Sequence, residues 1–277
     1  MAWSHFVRKI GAVCVLWPLI AAIWQTSVVH AQQEQAQTQT SPIPGTILPL
    51  SKDCQTPGLK IVLDRPLPNT LAALRDRKII KILTIGASSS VGMDTAMGSY
   101  QDVIEEMLEK SISGLDVQII DRGISGELAR NAAERMKTEV ALTEPDLVLW
   151  QVGTNDALAQ IPVEEFSETV TDTIRWLKER NLDVVLVGLQ YIRNMRNDPH
   201  YQAIRVALMQ VTESEKILRI SRYEAVEVME QMRQRLSEPP LNAFALTEEG
   251  YSCLAEYAVR AITSAIFLKR SASQPTN

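Results

Sequence analysis

Residues 79 to 90 read IIKILTIGASSS, and this stretch decides the fold of the chain. A run of β-branched and other apolar residues, Ile79 to Ile85, ends in Gly86 and three serines. Near-continuous apolar runs of this kind are typical of strands buried on both faces, as in parallel sheets. The stretch therefore predicts a central strand followed by a serine-rich turn.

The same pattern of short apolar runs recurs along the chain and alternates with amphipathic helical patterns. The further strand candidates are Val117 to Ile120, Leu147 to Val152, Val184 to Leu189 and Ile217 to Ile220. The helix candidates are Tyr100 to Lys110, Glu127 to Val140, Val163 to Arg180, Tyr201 to Glu213, Tyr223 to Arg235 and Glu248 to Leu268. Strands alternating with helices predict a three-layer α/β domain, a parallel sheet covered by helices.

The loops after the first three predicted strands carry polar residues that can meet at one edge of the sheet, because ligands bind beyond the carboxyl ends of such strands. Ser88 follows the first strand, where a serine nucleophile lies near the positive end of the next helix. Gly126 follows the second strand, and Asn155 follows the third. The backbone N–H groups of Ser88 and Gly126 and the Asn155 amide predict three donors for a developing oxyanion.

Each of these features also has an ordinary structural explanation. Serines after strands often cap helices, a glycine such as Gly126 is often only a turn residue, and Asn155 with Asp156 can cap the next helix. A phosphate-binding loop over residues 86–92 is a further interpretation, but no lysine follows Gly92 as that loop requires. The occurrence of all three features at the ends of consecutive strands favours a catalytic site.

Three short segments resemble the first three sequence blocks of the SGNH, or GDSL-type, serine hydrolases: Gly86-Ala87-Ser88, the loop containing Gly126, and Gly153-Thr154-Asn155-Asp156. Ala87 stands where that family has aspartate, whereas the third block matches fully. The resemblance spans residues 79 to 268. It implies a flavodoxin-like five-stranded sheet of order 2-1-3-4-5 and hydrolysis of acyl or acetyl esters of glycans or lipids, without metal or cofactor.

The fourth block of that family supplies an aspartate and the histidine base, and it aligns here with residues 242–251. Asn242 stands at the position of the aspartate and Ala245 at that of the histidine. Neither can accept a proton from Ser88, since alanine has no functional group and an amide does not titrate. The resemblance therefore implies either an impaired hydrolase or a non-catalytic protein that binds or scaffolds an acylated glycan or lipid.

His200 is the single histidine outside the first 31 residues. It follows the fourth predicted strand, so its loop emerges at the same edge as Ser88 and the imidazole is a candidate substitute base. The alternative is an ordinary surface histidine at the start of a helix behind Pro199, with only Asp198 nearby to orient it.

The amino terminus has the features of an export signal. Arg8 and Lys9 precede an apolar run from Ile10 to Trp24, and Val29-His30-Ala31 ends in the pattern that signal peptidases cut. An uncleaved anchor is the alternative, but the run is shorter than the roughly 20 apolar residues of a bilayer span. We expect a signal peptide at 1–31, a flexible leader at 32–47, an N-terminal extension at 48–78 and the hydrolase-like domain at 79–270, in a periplasmic or secreted protein.

Two cysteines, Cys54 and Cys253, remain after removal of the signal. An oxidising compartment permits them to pair, and closing so long a loop would stabilise the fold by up to about 5 kcal/mol. Two buried thiols that pack as small hydrophobic side chains are the alternative.

The composition limits the partners of the chain. Its 277 residues include 28 basic and 33 acidic residues, a formal net charge of −5, which argues against nucleic acid. A hydrophobic content of 45% suits one domain with a sizeable core. We therefore expect a small-molecule or glycan ester as the partner, no cofactor, and no stable membrane span after signal removal.

Overall fold

Five parallel strands form one sheet in the order β2-β1-β3-β4-β5. The computed structural model describes residues 45–59, 65–76, 79–87, 100–241, 244 and 247–267. Within these, the strands are β1 (Ile79–Ala87), β2 (Asp116–Ile124), β3 (Leu147–Gln151), β4 (Asp183–Val187) and β5 (Leu218–Ile220). The α/β fold class, the parallel pairing and the strand order predicted from the sequence are confirmed.

Helices cover both faces of the sheet. The described helices are α1 (Pro68–Asp76), α2 (Tyr100–Ser111), α3 (Ala129–Thr143), α4 (Thr154–Leu158), α5 (Val163–Lys178), α6 (Pro199–Ser214), α7 (Arg222–Arg235) and α8 (Glu248–Phe267). Helix α2 packs against α8, while α3 and α6 both pack against α5. The predicted three-layer architecture is therefore confirmed.

The centre and the edge of the sheet differ in burial. Every residue of β3 and β4 is buried, and Trp150 in β3 has no exposed surface. Among the described strands, β2 pairs with β1 alone, and it continues past Ile120, where its apolar run ends, to Ile124. An edge strand can keep polar residues such as Asp121 exposed, which is why the apolar run alone gives too short a strand.

Two helices, α1 and α4, were not predicted from the sequence. Helix α4 has five residues, too few for a helical period to be recognised. Helix α1 falls in the predicted N-terminal extension, and its first turn is held by a distant residue: the Asp183 carboxylate accepts a hydrogen bond from the Thr70 N–H at 2.8 Å. A contact between residues this far apart in sequence leaves no local signal.

The segment at residues 45–59 is fastened to α8. Cys54 and Cys253 form a disulfide, as predicted. The hydroxyl of Tyr257 donates to the Cys54 carbonyl oxygen at 2.9 Å, and the Ser51 N–H donates to a Glu256 carboxylate oxygen at 2.7 Å. The predicted signal peptide and most of the leader lie outside the described residues. Among the helices described, none is long and apolar enough to cross a membrane.

Candidate active site

The loops after β2 and β3 meet at the carboxyl edge of the sheet. The Asn155 side-chain amide donates a hydrogen bond to the carbonyl oxygen of Glu127 at 3.0 Å. Because Glu127 directly follows Gly126, this bond places the two described candidates for the oxyanion site next to each other. Ser88, Asn242 and Ala245 lie outside the described residues, so their roles stay predictions.

Two glycines set the course of these loops. Gly126 has φ +78°, in the left-handed region that favours glycine, and the space where a Cβ would stand is open. Gly153 has φ +103°, and a Cβ there would lie 2.7 Å from Leu189 Cδ1. A side chain at Gly153 would therefore displace the loop that carries Asn155.

Helix α4 is hydrogen-bonded to two further segments. The Asp156 carboxylate accepts a hydrogen bond from the Ala129 N–H, at the start of α3, at 2.9 Å. The Thr154 hydroxyl oxygen accepts one from the Gln190 N–H, after β4, at 2.9 Å. Asp156 thus caps α3 and also lies in the first turn of its own helix, α4. These bonds position the helix that carries Asn155.

A buried ion pair supports the loop after β2. Glu127 is 7% exposed, and both of its carboxylate oxygens accept hydrogen bonds from Arg135 in α3, at 2.8 and 3.0 Å. The same guanidinium donates to the Arg122 carbonyl oxygen at 2.7 Å. Two-point Arg–carboxylate bonds restrict geometry as well as adding energy. The backbone around Gly126 is therefore held from the side of α3.

Sequence reasoning missed this pair for a physical reason. Glu127 and Arg135 are eight residues apart, and Glu127 precedes the first residue of α3. No helical spacing relates them, so only the path of the loop brings them together.

The Asp156 carboxylate at this edge is buried, with 2% of the residue exposed. Burial raises its pKa above the ordinary value, while N–H groups of Ala129, Asp156 and Gly153 partly offset that rise. Its Oδ2 atom has no hydrogen-bond partner in the described structure. The carboxyl edge thus keeps one polar atom unsatisfied beside Asn155.

A buried arginine lies at the same edge. Arg222 is the first residue of α7, is 5% exposed, and donates from Nε to the carbonyl oxygen of Gly188 at 2.8 Å. Burial lowers the pKa of Arg222 to about 10, and the phenol groups of Tyr201, Tyr100 and Tyr251 oppose this lowering. Burial also raises the pKa of Tyr201 to about 12. The guanidinium therefore carries its positive charge at neutral pH.

His200 is the second residue of α6 and is half-buried. Its Nε2 atom has no hydrogen-bond partner among the residues described. An Asp198 carboxylate oxygen accepts a hydrogen bond from the Tyr201 N–H at 2.7 Å, so Asp198 caps α6. This removes the support that Asp198 would give to a catalytic role of the imidazole; the role itself stays a prediction.

The described residues in and next to the fourth block are held by hydrogen bonds. The Leu241 N–H donates to Glu230 Oε2 at 2.8 Å, and Glu230 also pairs with Arg193 from the loop after β4. On the other side, the Thr247 hydroxyl oxygen accepts a hydrogen bond from the Gly250 N–H at 3.1 Å and so caps α8. Glu248 and Glu249 occupy the first turn of that helix, where negative charge is favourable.

In the part of the chain that the structure describes, no three His, Cys, Asp or Glu residues lie close enough together to hold a metal ion. The donors at the carboxyl edge are backbone and amide N–H groups and a guanidinium. Such a set suits anionic oxygen atoms better than metal cations.

Comparison with known proteins gives a family match over most of the chain. The sequence model of the Non-GDSL lipase-like family matches residues 53–267. An arylesterase of Vibrio mimicus is 28% identical over 111 residues, which cover 40% of this chain and 54% of that protein. Esterase TesA of Pseudomonas aeruginosa is 24% identical over 113 residues, 39% of this chain and 54% of that protein. The chain spans about half the length of these curated relatives.

Solved structures show the same fold at low sequence identity. A lipase/acylhydrolase from Enterococcus faecalis aligns with a TM-score of 0.53 and 24% identity, covering 67% of this chain and 96% of the other. The acetylxylan esterase Axe2 of Geobacillus stearothermophilus aligns with a TM-score of 0.53 and 19% identity, covering 66% and 94%. At this identity the likeness shows the fold alone.

Proposed function

Because the chain belongs to the Non-GDSL lipase-like family, we propose that it hydrolyses acyl or acetyl esters of glycans or lipids. Ser88 is the nucleophile, and Gly126 N–H and the Asn155 amide bind the oxyanion. The observation that carries the proposal is the 3.0 Å hydrogen bond from the Asn155 amide to the Glu127 carbonyl oxygen. It brings together the two loops that carry these donors, and this supports the proposal because oxyanion stabilisation needs donors that converge on one oxygen atom.

The proposed chemistry is an acyl transfer through an enzyme ester. The Ser88 hydroxyl oxygen attacks the ester carbonyl carbon, and the carbonyl oxygen becomes an oxyanion held by the two donors. The alcohol then leaves, and water hydrolyses the acyl-serine in a second step. The Ser88 proton passes to water, since Asn242 and Ala245 stand where the family has its aspartate and histidine.

The absent base sets the expected rate. In serine hydrolases, removal of the base costs on the order of 10⁶ in kcat, whereas oxyanion stabilisation and binding alone retain roughly 10³ to 10⁴ over water. We therefore expect slow turnover that rises with pH, because hydroxide then takes the serine proton.

A fluorophosphonate probe, which labels activated serines, tests the nucleophile. Slow but complete labelling is expected in the parent chain and none in Ser88→Ala. Ser89→Ala is the matched control, since it removes the neighbouring hydroxyl and leaves Ser88 in place. Labelling that survives Ser88→Ala would show that another residue reacts.

Restoring the fourth block tests the alignment. The double variant Asn242→Asp, Ala245→His should raise the rate of p-nitrophenyl acetate hydrolysis at least 100-fold, as expected when a base returns to a site that lacked one. Ala245→His without the aspartate should give a smaller gain. No gain in either variant would mean that residues 242–251 do not supply the base position.

The second candidate is a non-catalytic protein that binds an acylated glycan or lipid. The substitution of both proton-handling positions favours it. Absence of labelling in the parent and in the restored variant, together with measurable binding of an acetylated xylooligosaccharide or a lysophospholipid, would establish it over the esterase.

Export to the periplasm or beyond is part of the proposal. The apolar run at Ile10 to Trp24 and the disulfide between Cys54 and Cys253 support it. Fractionation of cells that express the full chain, with amino-terminal sequencing of the product, tests it. A product that begins at Gln32 in the exported fraction is expected; an intact amino terminus in the cytoplasm would contradict it.

A further inference from the structure

The Arg222 guanidinium lies at the carboxyl edge of the sheet. Its bond to the Gly188 carbonyl oxygen places it just beyond the end of β4, and it follows β5 by two residues. Tyr201 of α6, Tyr100 of α2 and Tyr251 of α8 all interact electrostatically with its charge. The charge therefore lies at the carboxyl edge of the sheet, where α/β folds bind ligands.

The tyrosines around Arg222 are firmly held. The rings of Tyr100 and Tyr251 stack with their centroids 6.3 Å apart. The hydroxyl of Tyr201 donates to the Gln190 carbonyl oxygen at 2.6 Å, and the Gln190 N–H in turn donates to Thr154 of α4. Arg222 is thus linked through Tyr201 to the helix that carries Asn155.

This buried charge has no counter-ion in the structure described. No carboxylate of the described residues forms an ion pair with Arg222, and its Nη2 atom has no hydrogen-bond partner. Arg219, three residues earlier and similarly buried, pairs with a Glu224 carboxylate oxygen at 3.2 Å. Buried charges are normally paired because an unpaired one is costly.

A second buried side chain, on a helix that begins at this edge, also lacks hydrogen-bond partners. Gln101, next to Tyr100 in α2, is 4% exposed, and neither its amide nitrogen nor its amide oxygen has a hydrogen-bond partner among the described residues. Helices α2 and α7 thus each begin at this edge with a buried polar side chain that lacks a partner, as expected where a polar ligand binds.

We propose that Arg222 is the counter-charge for an anionic group of the ligand, a carboxylate or a phosphate, so that the ester bound at this site carries a negative charge. The identification of the ligand as an ester rests on the proposed function; the anion site itself does not. A guanidinium suits this role because it donates to carboxylate and phosphate oxygens in a fixed plane. The net charge of −5 would repel anions elsewhere on the chain, so their binding must be local.

Equilibrium binding tests the proposal without relying on turnover. Butyrate, inorganic phosphate and the neutral butyramide are titrated calorimetrically into full-length Ser88→Ala at constant ionic strength. At least one of the two anions should bind ten times more tightly than butyramide. A preference for butyrate assigns a carboxylate, and a preference for phosphate assigns a phosphate. Equal affinity for all three probes overturns the proposal.

Variants then locate the site. Arg222→Gln should weaken binding of the preferred anion at least tenfold, and Arg222→Lys, which keeps the charge, should weaken it less. Arg235→Gln is the matched control, since it removes an exposed arginine from the same helix and should leave the affinity unchanged. Unchanged anion affinity in Arg222→Gln overturns the proposal; if that variant does not fold, the comparison of the three probes decides alone.

The two proposals fail separately. Anion binding that depends on Arg222, in a chain whose Ser88 never reacts with the fluorophosphonate, would overturn the esterase and support the anion site. Labelling of Ser88 with no preference for either anion would do the reverse.

Discussion

Asp183 at the amino edge of the sheet and Asp156 at the carboxyl edge both cap a helix, but they accept different numbers of hydrogen bonds. Asp183 accepts three hydrogen bonds, from the Thr70 N–H at 2.8 Å, the Thr70 hydroxyl at 3.0 Å and the Asn69 amide at 3.0 Å. Asp156 accepts one of similar quality, from the Ala129 N–H at 2.9 Å. Both carboxylates stabilise the first turn of a helix that is distant in sequence, where negative charge is favourable.

The difference separates an edge whose buried carboxylate has a donor for each oxygen from the edge where we propose that a ligand binds. Asp183 and Asp156 are both buried, at 8% and 2% exposure, and burial raises the pKa of both. The amino edge provides at least one hydrogen-bond donor for each Asp183 carboxylate oxygen. The carboxyl edge leaves Asp156 Oδ2 without a partner in the described structure, one residue from Asn155. A buried polar atom without a hydrogen-bond partner is tolerated where function requires it.

The largest effect is expected from Asp183→Ala. The substitution leaves three donors without an acceptor, and hydrogen bonds to a charged group each contribute about 1.5–3 kcal/mol. We expect the free energy of unfolding to fall by about 3 kcal/mol, measured by urea denaturation. The rate of fluorophosphonate labelling of the folded protein should stay unchanged. A loss of labelling without a loss of stability would reverse the roles of the two edges.

Compared with Asp183→Ala, Asp156→Ala should lower the free energy of unfolding less and the labelling rate of Ser88 more. It removes one hydrogen bond and a partly unsatisfied charge, so we expect a fall of about 1–2 kcal/mol in the free energy of unfolding. The labelling rate of Ser88 should fall about tenfold, because the loop of Asn155 loses its tie to α3. Both are measured on one preparation. A labelling rate equal to the parent would show that this tie does not position the amide.

The asparagine variants sharpen the comparison. Asp183→Asn leaves a single acceptor oxygen for three donors and should cost about 1.5 kcal/mol. Asp156→Asn keeps an acceptor for the Ala129 N–H and replaces only the unpartnered oxygen, so its stability at pH 7 should lie within about 0.5 kcal/mol of the parent. Urea denaturation of the pair measures the difference. Equal losses in the two variants would remove the distinction between the edges.

The smallest effect is a pH dependence. Since burial raises the pKa of Asp156, the folded chain binds this proton more readily than the unfolded chain does. The contribution to the free energy of unfolding therefore grows as the pH falls from neutral toward about 3.9, the ordinary pKa of aspartate. The parent should gain stability relative to Asp156→Asn on acidification, measured by urea denaturation at several pH values. A difference that is constant with pH would contradict the raised pKa.

The fold was predictable where the burial of an element requires a recognisable run of apolar residues in the sequence. Strands β1, β3 and β4 are buried on both faces or nearly so, and their apolar runs mark them closely. Strand β2 was marked only over its apolar half, because the exposed edge accepts polar residues. Helix α1 was missed because Asp183 stabilises its first turn from over a hundred residues away.

The candidate site was predictable only as far as its loops carry recognisable residues. Gly126 and Asn155 were named from their positions after strands, and the structure brings their loops together. The Arg135 support and the buried charge of Arg222 were not foreseen, since arginines in amphipathic helices ordinarily face solvent. Their surroundings depend on packing between elements, which no local pattern encodes.

The disulfide joins residues that are 199 positions apart, and all five strands lie between them. A ribosome adds roughly 5–20 residues per second, so Cys54 waits on the order of 10–40 s before Cys253 is even synthesised. The disulfide therefore cannot form until all five strands have been synthesised. The disulfide fastens the segment at residues 45–59 to α8 late in synthesis. A chain truncated before α8 would have to hold that segment in place without the disulfide.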